Sequence, residues 1–97
     1  MDMDDKALPA QLQALFMDAA RAHHEAYRAT DGADDEWPLW YADYLQPRLR
    51  DLLDYQATKR ELVYLLVSAD RLHKQHTPAA DWTATYALFF LQQSGKA

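Results

Sequence analysis

The chain has 97 residues, of which 49% are apolar and 26% charged, with two glycines, four prolines and no cysteine. That composition excludes disordered, collagen-like and disulfide-framed classes, and it leaves no thiolate for catalysis or for a cysteine-ligated metal. The formal net charge of −5 argues against direct binding to nucleic acid or to an anionic membrane, since both need clustered lysine and arginine.

One domain spanning residues 1–97 is expected, with 1–8 as a flexible acidic N-terminus. The opening Met-Asp-Met-Asp-Asp-Lys is acidic where a secretory signal is basic. The longest apolar run, Tyr86 to Leu91, is far too short to span a bilayer. A cytoplasmic location is therefore expected.

A first helix is predicted to open at Pro9, which has no N–H to lose at a first helical position, and to run to about Thr30, where Gly32 supplies a left-handed stop. Steps of three and four place Leu12, Leu15, Phe16, Ala19, His23, Ala26 and Tyr27 on its inner face. His24 falls on the flank.

After the acidic loop Asp31–Trp37, Pro38 offers a second start. Pro47 then removes a backbone donor and crowds the carbonyl of Asp43, so a kink or a break is predicted there, with Leu49, Leu52 and Leu53 facing inward beyond it. Thr58 with Glu61 three positions on is a capping-box pattern and opens a third helix to about His76. Its inward residues are Leu62, Leu65, Leu66, Ala69 and Leu72, flanked by Val63 and Val67. Thr77-Pro78 reads as the cap and first residue of a fourth helix that ends near Ser94, before Gly95. No segment alternates as a strand does. The fold class is thus all-α, an antiparallel bundle of about four helices, the second kinked or broken at Pro47.

Two tryptophans and two tyrosines crowd the eight residues from Trp37 to Tyr44. On a helix, Trp40 and Tyr44 share one face while Tyr41 and Leu45 share the next, so the rings cannot all enter one core. Tyrosine and tryptophan join a large apolar body to one polar tip, which suits a ligand pocket or a protein-binding patch; equally, such rings fill wide gaps beside a bent helix.

The loop should bring these rings back against His23, His24 and Tyr27. His23, Tyr27, Tyr41 and Asp43 then form a candidate set, a carboxylate-oriented imidazole beside a phenol, able to hold a polar ligand or move a proton. The plainer alternative for His23 is a core-facing ring with one hydrogen-bond partner, a tyrosine hydroxyl or Asp43.

Asp70, His73 and His76 are spaced by three near a helix C-terminus. They are weak metal candidates, because three such side chains drift around the helix and Arg71 and Lys74 lie between them. No metal or cofactor is expected.

Tyr86, Phe89 and Phe90 belong to a helix that is apolar around its circumference, which implies two burial surfaces, one of them an oligomer interface or the N-terminal segment. No phosphate loop, nucleophile elbow or zinc-protease motif occurs.

Two readings of function follow. The first is a non-enzymatic helical binding or protein-interaction module, self-associating, with Trp37, Trp40, Tyr41 and Tyr44 as its contact surface and itself or another protein as partner. The second is a small-ligand binder or minor enzyme whose pocket, lined by His, Tyr and Trp, lies between the first two helices. A purely structural accessory subunit would instead spend every ring on its core.

Overall fold

A computed structural model describes residues 3–79 and 81–95. Among these the protein is all-α, with four helices: α1 (Met3–Ala26), α2 (Trp37–Leu53), α3 (Lys59–His76) and α4 (Trp82–Ser94). Short connections return each helix alongside the last, so α1 packs mainly on α4, and α2 on α3, in an antiparallel bundle. Among the described residues no helix is long and apolar enough to cross a membrane.

The core follows from helical spacing. Leu12, Phe16, Ala19 and His23 of α1 are buried, as are Leu45, Leu49 and Leu53 of α2, Leu62, Leu65, Leu66 and Ala69 of α3, and Tyr86, Ala87, Phe90 and Leu91 of α4. Phe16 is the hub, meeting Trp82, Tyr86 and Phe90 edge to face at 6.3, 5.5 and 5.2 Å. Leu15 and Leu52 are half-buried. Ala26, Leu72 and Val67 are exposed, contrary to expectation for all three. Ala26 lies in the last turn of α1, beyond His23, and Val67 and Leu72 lie on the outer side of α3.

Three boundaries differ from the sequence reading. α1 starts at Met3, with Pro9 inside it. Proline permits a start without requiring one, and Leu8, one turn before Leu12, is buried and carries the apolar stripe past Pro9. Of the segment 1–8, residues 1 and 2 lie outside the described residues, and the rest is helical.

α1 stops at Ala26, and a 3-10 turn, Arg28–Thr30, follows it. Asp31 (φ 55°) and Gly32 (φ 86°) then reverse the chain in left-handed conformations. The fourth helix starts at Trp82, not Pro78. Asp81 is its cap, accepting from the Thr83 N–H at 3.0 Å and the Thr83 hydroxyl at 2.7 Å, while the Thr77 N–H closes α3 by donating to the His73 carbonyl. The capping box of Thr58 and Glu61 and the left-handed Gly95 are both present.

Pro47 does not separate two helices, and α2 runs through it. Buried Leu45 and Leu49 on either side hold the helix to the core. The Arg48 guanidinium donates to the Tyr44 carbonyl at 2.7 Å and lies 3.8 Å over the Tyr44 ring. It thus adds a second donor to the carbonyl that follows the one proline leaves without its helical partner, that of Asp43.

Candidate functional site

His23 enters the site because its step from Ala19 keeps it on the buried face of α1, where it is 6% exposed. Three rings surround it: Tyr27 at 4.8 Å, Trp40 at 5.0 Å and Tyr41 at 5.2 Å between centroids. Its Nε2 lies 3.0 Å from Oδ2 of Asp34, with both side chains almost wholly covered.

The loop delivers that carboxylate by local bonding. The Gly32 N–H donates to the Tyr27 carbonyl at 2.8 Å, and the Thr30 hydroxyl lies within reach of the Tyr27 and Ala33 carbonyls. Asp34 Oδ1 accepts from the Glu36 N–H at 3.0 Å, an Asx turn leading directly into α2. A Cβ at Gly32 would stand 3.0 Å from Nδ1 of His24, so glycine answers both the backbone conformation and the close approach.

Electrostatics fix the roles within the pair. The bond from His23, reinforced by the Glu36 N–H, holds the Asp34 carboxyl below its ordinary range despite partial desolvation, so Asp34 is the acceptor. In the neutral imidazole, Nε2 then carries the hydrogen and Nδ1 is left as an acceptor. Tyr27 is raised by desolvation and then by the Asp34 charge. Burial pushes the Tyr41 phenol up to about 12, and Tyr86 is raised by burial and by Asp70. Both phenols stay protonated at neutral pH, and the Tyr86 hydroxyl donates to Asp70 Oδ1 at 3.1 Å.

These groups border a cleft of about 530 Å³ at one end of the bundle. Its walls include Ala20, His23 and His24 of α1, Asp31, Gly32 and Asp34 of the loop, Trp37 and Tyr41 of α2, Asp70 and His73 of α3, and Trp82 and Tyr86 of α4. Its size falls within the usual range of small-molecule sites.

Of the residues expected at a site, His23, His24, Trp37 and Tyr41 meet here, with Tyr27 packed behind His23. Trp40 and Tyr44 stack on each other at 5.4 Å away from the cleft lining. Asp43 does not join them: it is exposed and pairs with Lys59 Nζ at 2.8 Å, and the carboxylate on His23 comes from Asp34 instead.

Among Asp70, His73 and His76, the first two line the cleft while His76 is exposed. Asp70 is engaged by Tyr86 and by Lys74 at 3.0 Å. Among the described residues no group of three or more potential ligands could hold a metal ion. Tyr86 and Phe90 are buried within the chain's own core and Phe89 is half-buried, so the surface proposed for self-association loses its first and third members.

The sequence reading missed Asp34, Asp31, Gly32 and Trp82 as site residues. Asp34 carried a usable signal, since an aspartate three residues before Trp37 can form an Asx turn into the helix. Trp82 follows a capping aspartate that was passed over for Thr77.

Compared with known proteins, the chain matches no family model, no curated protein and no solved structure.

Proposed function

We propose that the protein binds a small polar ligand in the cleft between α1, its following loop and the near ends of α2, α3 and α4. The observation that carries this reading is the open volume beside His23: an imidazole oriented by a covered carboxylate borders about 530 Å³ walled by Trp37, Tyr41, Trp82 and Tyr86. Tyr41 and Tyr86 are core-buried and form the floor of this open cleft, while half-buried Trp37 and Trp82 stand at its sides.

The lining holds no serine, threonine or lysine and the chain no cysteine, so the nucleophiles left to it are carboxylates, imidazoles and phenols, of which Asp34 is engaged by His23 and Asp70 by Tyr86 and Lys74. Proton transfer is within reach of His23, His24 and His73, all of which line the cleft. The cytoplasmic location expected from the sequence belongs to the same reading.

The test is nitrogen-15 NMR of the purified protein against a panel of small amines, acids, alcohols and aromatic compounds. Binders are expected to shift the indole N–H signals of Trp37 and Trp82 while leaving Trp40 nearly still. His23→Gln is expected to weaken them about tenfold. A panel that moves neither Trp37 nor Trp82 overturns the reading.

A second reading, self-association, has its own observation. A groove on the outer side of α3 and α4 is lined by Tyr64, Leu65, Leu72 and Phe89 among polar neighbours, with Tyr64 71% and Leu72 40% exposed.

A further inference from the structure

We infer that the ligand class of the cleft is a protonated primary or secondary amine carried on a compact apolar body. This rests on the ligand-binding reading above and specifies its chemistry.

The first observation is charge. Asp31, Asp34 and Asp70 line the cleft, and no lysine or arginine does. Asp34 is bonded to His23 and Asp70 to Lys74, while Asp31 has no such partner among the described residues; an anionic ligand would meet these carboxylates with only the histidines His23, His24 and His73 in the lining to oppose them, at a cost that rises as water is excluded. Lys74 reaches Asp70 Oδ2 from outside the lining, and its own side chain is 72% exposed.

The second is the aromatic wall. Trp37 to Tyr41, Tyr41 to Trp82 and Trp82 to Tyr86 are successive ring contacts at 5.8, 6.4 and 4.9 Å, with interplanar angles of 88°, 79° and 76°. Each ring stands nearly perpendicular to the next, and all four border the cleft. Rings of this kind offer an apolar body its contact area and a cation the negative face of a π system.

The third is His23. With Nε2 placed on the Asp34 carboxylate, the neutral form of the ring presents Nδ1 as an acceptor. An ammonium N–H satisfies an acceptor, as does an alcohol, whereas an ionised carboxylate cannot. A quaternary ammonium would meet the rings but has no hydrogen to give. A bare metal ion is a poor fit, because the lining is largely aromatic and among the described residues no three ligands converge.

The experiment is calorimetric titration of the full chain with three probes of matched shape: 2-phenylethylammonium, 2-phenylethanol and phenylacetate. The ammonium is expected to bind at least about tenfold more tightly than either of the others. Asp31→Asn with Asp70→Asn is expected to remove most of that preference while leaving 2-phenylethanol unchanged. Asparagine tolerates the left-handed backbone at position 31 and still accepts from Tyr86 at position 70, and an unchanged melting temperature confirms that the variant folds.

Asp51→Asn, on α2 about 20 Å along the helix from Trp37, is expected to bind as the parent does. Equal affinity for ammonium and alcohol, or a preference for phenylacetate, overturns the amine assignment and leaves the cleft as a binding site. Failure of all three probes also overturns the assignment, and the NMR panel then decides the broader reading separately.

Discussion

Asp34 holds the loop and orients His23 with the same carboxylate, one oxygen on the Glu36 N–H and the other on the imidazole. Because these bonds favour its ionised form, its folded-state pKa lies below the unfolded value of about 3.9. The stabilisation is therefore complete above that value and is lost as pH falls through the lower folded one. Glu61, held down by the Thr58 backbone N–H, and Asp81, by Thr83, act in the same direction. The urea midpoint of the parent is expected to drop between about pH 5 and pH 2, and Asp34→Asn to lower the neutral midpoint and flatten the acid slope in part. An acid slope that Asp34→Asn leaves unchanged would mean that the His23 pair contributes nothing to stability. His23 was legible from its helical step alone. Its partner was not, because Asp43 and Asp34 are both near in sequence, and only the turn at Asp31 and Gly32 decides which carboxylate reaches the ring.

At the scale of the element, Pro47 is an exposed proline inside a helix otherwise anchored by Leu45 and Leu49. An interior proline costs roughly 3 kcal/mol in an isolated helix. Arg48 recovers part of this, and proline also restricts the unfolded chain, so Pro47→Ala is expected to stabilise the protein by only about 1 kcal/mol in chemical denaturation. A loss of stability instead would mean that the packing of Leu45 and Leu49 depends on the backbone geometry that proline sets. Helix existence was readable from apolar steps, and the third helix was readable to the residue because a capping box is a local signal. Pro38 stands in the first turn of α2 as its spacing implies, whereas Pro9 and Pro78 were poorer guides. Proline marks where a helix can start, while burial of Leu8 and Leu45 decides where it does continue.

For the whole molecule, the four-helix architecture follows from length, spacing and short loops, whereas the cleft draws on all four helices and could not be read from any one of them. The outer groove of α3 and α4 belongs to this scale too. If it joins two copies, sedimentation equilibrium at up to about 100 μM will reveal a dimer that Tyr64→Glu dissociates; a monomer throughout that range removes the second reading. The two faces are separate, so Tyr64→Glu should leave cleft ligands unaffected.

The cleft's lining divides by sequence into two blocks, residues 20–41 and residues 70–86. The first block closes on itself through the loop and the His23–Asp34 pair. The second reaches it only when α3 and α4 have docked. On the proposed reading, a ligand filling the cleft would touch both blocks and act as a clasp between the early and late parts of the chain, tying occupancy to the integrity of the whole bundle.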